Sequence, residues 1–141
     1  MTIVVRDDGF HAEDWHEGFA ALDTAQEALQ GPNALRALDV AGDTAAEDLQ
    51  ALLAHVAMIR VTFPTFADGR GFTLAHRLRR MGFAGRLRAA GHVLADQFAM
   101  ARRCGFDEVE IDDALATRQP EPDWLARADW HAGDYQSRLR G

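Results

Sequence analysis

The chain reads as an α/β protein: a small, mostly parallel β-sheet built in the order β-α-β-α-β-α-β, flanked by an N-terminal hairpin and an aromatic C-terminal tail. Three observations predict it. Between Ala34 and Ile111 the apolar residues switch repeatedly from a two-residue period to a three- or four-residue period. Glycine or proline punctuates the switches. The connections are short, and parallel neighbours need crossover helices between them.

Taken in order, Ile3, Val4 and Val5 form a β-branched run that stops at Asp7-Asp8-Gly9, and Phe10 restarts the apolar pattern, which spells a hairpin. From Asp14 to Leu29 the pattern is mixed; Asp23-Thr24 can cap a short helix that Gly31-Pro32 stops. Ala34 to Val40 reads as a strand, followed by a turn at Ala41-Gly42-Asp43. Thr44-Ala45-Ala46-Glu47 matches a capping box and predicts a helix to His55, with Leu49, Leu52, Leu53 and Val56 on its buried face. Val56 to Phe63 alternates and ends at Pro64, as a strand does.

The next helix carries Phe72, Leu74, Ala75, Leu78 and Met81 inward and His76, Arg77, Arg79 and Arg80 outward, and Gly82 ends it. Arg86 to Ala90 is a strand, and Val93 or Leu94 opens a helix with Asp96 in its first turn and Arg102 and Arg103 in its last, both favourable for the helix dipole. Gly105 closes it, and Phe106 to Ile111 is the last strand. The reading is one domain over 1–118, with a variable hairpin region over 1–31. The tail over 119–141 carries Trp124, Trp130 and Tyr135 and docks on the domain or on a partner.

Composition narrows the function classes. A net charge of −7 argues against general nucleic-acid binding, and no apolar run approaches the roughly 20 residues that span a bilayer. MTIVVRDDGF lacks the basic flank of an export signal and Cys104 is the single cysteine, so a cytoplasmic protein is expected. The stretch from Phe63 to Phe106 holds eight of the fifteen basic residues, all arginine, against the two acids Asp68 and Asp96; it carries +6 while the rest carries −13.

The segments FPTFADGRGFTLAHRLR, GRLRAAGHVLADQ and RRCGFDEVEI resemble the proteobacterial domain of unknown function 934 family. The likeness is most specific from Phe63 to Glu110, with departures at Thr65, where a lysine is common, and His92, where Asp or Asn is common. The resemblance implies proteins encoded beside sulfite or nitrite reductase, and hence an accessory role in assimilatory sulfite reduction with the reductase or a ferredoxin-like protein as partner. It supplies no catalytic residue.

The residues themselves point to a place. Ligands of open parallel sheets bind beyond the carboxyl ends of the strands. That side receives Asp43, the loop Asp68-Gly69-Arg70-Gly71, Gly91-His92 and Asp96-Gln97. Gly69 and Gly71 let backbone amides close on a small oxyanion at a helix start, and Arg70 adds a forked cationic donor. Asp68, Gly69, Arg70, Gly71 and Gln97 are therefore the candidate ligand-binding residues, with Asp96 and His92 as candidates for moving protons. The competing reading is a tight turn in which Arg70 pairs with Asp68 or Asp96.

Arg77, Arg79, Arg80, Arg86, Arg88, Arg102 and Arg103 offer a basic face for an acidic partner, or, as the favoured reading, a face neutralised by the chain's own acidic ends. The histidines lack metal-ligand spacing, and DGRGF lacks both the Lys-Ser/Thr ending of a phosphate loop and the three-glycine dinucleotide pattern, so neither metal nor cofactor is expected. Cys104, near a helix C-terminus, reads as a small core residue. The leading function is an oxyanion- or partner-binding accessory protein. The alternatives are a small enzyme acting on a sulfur-containing or phosphorylated anion, and a structural module that dimerises through a sheet edge or its tail.

Overall fold

The computed structural model of the chain describes residues 2–16, 18–22, 25, 37–65, 69–91 and 93–128. Its strands are β1 (Thr2–Arg6), β2 (Gly9–Ala12), β3 (Ala20–Ala21), β4 (Ala37–Ala41), β5 (Met58–Phe63), β6 (Arg86–Gly91) and β7 (Glu108–Asp112). The α-helices that lie wholly within the described residues are α1 (Arg70–Arg80), α2 (Phe98–Cys104), α3 (Asp113–Arg118) and α4 (Glu121–Leu125), with 3-10 helices at Ala46–Leu52 and Ala95–Gln97. The predicted helix at Asp23–Leu29 apart from Ala25, positions 34–36 of the predicted strand, Asp68, His92, Trp130 and Tyr135 lie outside the described residues.

The seven described strands form one sheet in the order β2-β1-β7-β6-β5-β4-β3. Strands β3 to β7 run parallel in sequence order, and β1 pairs antiparallel with both β2 and β7. The mixed α/β class and the mostly parallel sheet are thus as the sequence predicts, and the hairpin extends the sheet on the β7 side. Leu38, Val40, Ile59, Val61, Phe63, Leu87, Ala89, Val109 and Ile111 share one core with Leu49, Leu52, Phe72, Ala75, Leu78, Phe98 and Ala101, so the crossover helices cover one face of the sheet. Gly105 ends α2 at φ 113°, and the amide of Phe106 returns to the carbonyl of Ala101 at 3.0 Å, a left-handed cap that suits glycine. Trp124 is fully buried edge-on against Phe98, centroids 5.9 Å apart, and its indole N–H donates to the Gln119 carbonyl at 2.8 Å. No described helix is long and apolar enough to cross a membrane.

Two local expectations fail for physical reasons. The segment after β4 is a 3-10 helix whose N-cap, Ala45, has no side-chain cap. The Thr44 amide closes the preceding turn on the Ala41 carbonyl, and the Glu47 carboxylate pairs with Arg77 instead of reaching back. Arg79 is not on an outward face either. Its guanidinium donates to the carbonyls of Gly105 (2.9 Å), Phe83 (2.9 Å) and Gly85 (2.7 Å) and to Asp107 (2.9 Å), so it satisfies carbonyls left over at the ends of α1 and α2.

The face of the sheet away from these helices is charged. Register places Asp39, Arg60, Arg88 and Glu108 side by side on four consecutive strands. Arg88 is fully buried and donates to Glu108 (2.6 Å), Glu110 (2.7 Å) and both oxygens of Glu13 (2.6 and 2.9 Å). Burial opposes the Arg88 charge, but its hydrogen bonds to Glu13 and Glu110 raise its pKa well above the usual arginine range. Asp14, next along, takes hydrogen bonds from Arg6 (2.8 Å) and Arg86 (2.5 Å), and Phe19 lies 3.8 Å under the Arg60 guanidinium. Glu13, Asp14 and Phe19 therefore strap the charged face with two carboxylates and a ring. Arg86 and Arg88 accordingly leave the proposed basic face, and Arg102 pairs with Asp7, so the seven arginines do not form one patch.

Candidate oxyanion site

The cleft that holds Arg70 is made by a close approach of two backbones. A Cβ added to Gly42 would lie 3.1 Å from the Gly71 N and Cα, and one added to Gly71 would come within 2.6 Å of the Phe63 ring Cε2. Gly71 is thus fixed by packing as well as by any ligand; Gly69 faces open space and is not. Gly42 lets the turn after β4 lie close against the first turn of α1, and Arg70, the first residue of α1, stands at the carboxyl end of the sheet.

A cavity of about 290 Å³ opens there, lined by Arg70, Thr73, Leu74 and Arg77 from α1 and by Gly42 to Ala46 from the opposite wall. At roughly 30 Å³ per water in the liquid, the volume is enough for a small oxyanion together with part of its hydration. The Arg70 guanidinium is 64% exposed and lies 3.7 Å from the Asp43 carboxylate, an ion pair beyond hydrogen-bond length. Arg77 borders the same cleft and donates to Glu47. The first turn of α1 contains no acid, and the leading amides of a helix point toward its N-terminal end, where the dipole favours an anion.

The structure brings Gly69, Arg70 and Gly71 together with Asp43 and separates Asp96 and Gln97 from them. Asp96 pairs with Arg127 at 2.9 Å and lines a different cavity with Gln119 and Asp123. The Gln97 side-chain oxygen accepts from the Leu94 amide at 2.9 Å, which closes the start of the 3-10 turn. Thr44, Thr73 and Arg77 are cleft residues that the sequence pattern does not assign to the site. The signal was present for Thr73 and Arg77, which lie three and seven positions after Arg70 and so share its helical face. A larger hollow, about 510 Å³, lies at the opposite, amino end of the parallel strands and is lined by Arg6, Arg86 and five acids, Asp7, Asp8, Asp14, Asp107 and Glu108. Its carboxylates repel anions, so size alone does not make it the site. Cys104 is half-buried, and burial pushes its thiol pKa up, which suits a packing residue more than a nucleophile.

Residues 37–141 match the family described as "Bacterial protein of unknown function (DUF934)". No curated protein and no solved structure matches the chain.

Proposed function

The chain belongs to the DUF934 family, and we propose that it is an accessory protein of assimilatory sulfite reduction that holds a small oxyanion in the Arg70 cleft. The observation that carries the oxyanion part is the cleft itself: two guanidinium groups, two hydroxyls and a helix start converge at the ligand-binding end of a parallel sheet. The sulfur-assimilation part leans on the family resemblance of the loop and the Arg-rich segment.

Of the two partner classes expected from the sequence, the oxyanion is the better supported. Arg86 and Arg88 are engaged on the opposite face, which thins the basic patch for an acidic protein. The enzyme reading draws less support, since Asp96 lines a cavity other than the one that holds Arg70.

Thermal unfolding in sulfite or phosphate tests the reading. The midpoint should rise with anion concentration, as mass action requires of anything that binds the folded state. Arg70→Ala should abolish the rise. A parent protein whose midpoint ignores both anions would reject the site. For the cellular role, a deletion strain should grow poorly on sulfate and normally on cysteine; equal growth on both would reject it.

A further inference from the structure

We infer that the cleft selects an oxyanion that bears a proton and a single charge, and that Asp43 is the residue that selects it. The inference rests on the oxyanion reading above and narrows its ligand. Among the described residues, Arg70, Arg77 and Asp43 are the charged side chains that line the cavity. Arg70 lies beside Asp43 and Arg77 is paired with Glu47, so the cleft offers little surplus positive charge. A monoanion adds the least negative charge there. A dianion adds a second negative charge beside the Asp43 carboxylate.

Geometry adds a second, independent discrimination. The Asp43 carboxylate is 3.7 Å from the Arg70 guanidinium, so an oxyanion bound by that guanidinium sits within reach of Asp43 as well. A carboxylate accepts hydrogen bonds and cannot donate them. Against a fully deprotonated oxygen it is repulsive; against an acidic hydroxyl on sulfur or phosphorus it accepts a short, charge-assisted bond. The hydroxyls of Thr44 and Thr73 donate or accept as needed and do not discriminate. Sulfate near neutral pH has two charges and no proton. Hydrogen sulfite and dihydrogen phosphate have one charge and one or more protons, and they fit both requirements.

Calorimetric titration at fixed ionic strength with sulfate, phosphate and sulfite, on the parent, Asp43→Asn and Arg70→Ala, tests this. The parent should bind phosphate and sulfite at least about tenfold more tightly than sulfate, the scale of one hydrogen bond to a charged group. Asp43→Asn, whose amide can donate, should bring sulfate level with the others or ahead of them. Arg70→Ala should weaken all three. Asp43 is exposed, so Asp43→Asn should melt like the parent, which a parallel circular-dichroism melt checks. Sulfate binding as tightly as phosphate to the parent, or a preference unchanged in Asp43→Asn, would overturn the inference and leave the oxyanion site standing. No binding of any of the three, or binding undiminished in Arg70→Ala, would overturn both.

Discussion

Replacing Arg88 by alanine should cost this protein a large part of its stability, although Arg88 lies in no cleft and touches no candidate ligand. The side chain is fully buried and serves three carboxylates, Glu13, Glu108 and Glu110. Removing one partner from a buried ion network costs about 3–5 kcal/mol, because the remaining charges lose their compensation inside the protein. The structure sets the figure toward the lower end. Glu108 keeps Arg86 and Arg6, Glu110 keeps Arg60, and Glu13 is 24% exposed and can regain water. About 3 kcal/mol is then expected, a fall of roughly 10 °C in midpoint for a domain of this size. Urea unfolding followed by circular dichroism should show a lower midpoint with an unchanged slope. Arg88→Lys should fall between, since one ammonium cannot span the fork of bonds that the guanidinium makes. Arg80→Ala, at an exposed site, should stay within about 0.5 kcal/mol. If Arg88→Ala proves as harmless as Arg80→Ala, the charged face is not held together as described.

The strap gives a pH prediction. Burial pushes the Glu13 and Asp14 carboxyls up, but hydrogen bonds from Arg88 to the first, and from Arg86 and Arg6 to the second, push them further down, Asp14 well below the usual carboxylate range. A depressed folded-state pKa gives stability that is complete above the unfolded value of about 4 and is lost as pH falls through the folded one. Stability should therefore decline from about pH 4 downward, and a Glu13→Gln, Asp14→Asn double variant should be weaker at neutral pH and flatter in acid; parent and variant curves of the same shape would contradict the strap. The two loop glycines should behave differently. Gly71→Ala forces a methyl into the Phe63 ring and should cost about 1–3 kcal/mol, whereas Gly69→Ala, at φ −85° with open space beside it, should be near neutral by the same urea assay. Trp124→Ala, which empties a fully buried site against Phe98, should cost about 3–5 kcal/mol, and a loss under 1 kcal/mol would show that this helix is not docked.

Much of the fold is legible because periodicity and punctuation agree. The hairpin, the alternation of β4 to β7 with helical segments, and the stops at Gly82 and Gly105 follow from the order of apolar residues alone. What the chain hides is which face each charge takes once the strands are neighbours. Arg60, Arg86, Arg88, Glu108 and Glu110 alternate with apolar residues inside their strands, which signals one charged sheet face. Only the parallel register shows that they meet one another and not solvent. The capping box misleads because Thr44 and Glu47 have stronger tertiary uses, and Arg79 misleads because helix spacing cannot show that α2 packs beside it. For the site, the loop glycines and Arg70 stand out in sequence, but Asp43 becomes their neighbour only through the contact of Gly42 with Gly71. Asp96 and Gln97 lie on the expected side of the sheet, engaged in contacts of their own.

The most direct test is residue-resolved. Amide chemical shifts of the isotopically labelled chain, followed as sulfite is titrated in, should move in a saturable way at Gly42 to Thr44 and at Arg70 to Thr73, and hold still along the strapped face of the sheet. Saturable shifts centred on Arg86, Arg88 and Asp14, or no saturable shifts at all, would contradict an oxyanion site at the start of α1.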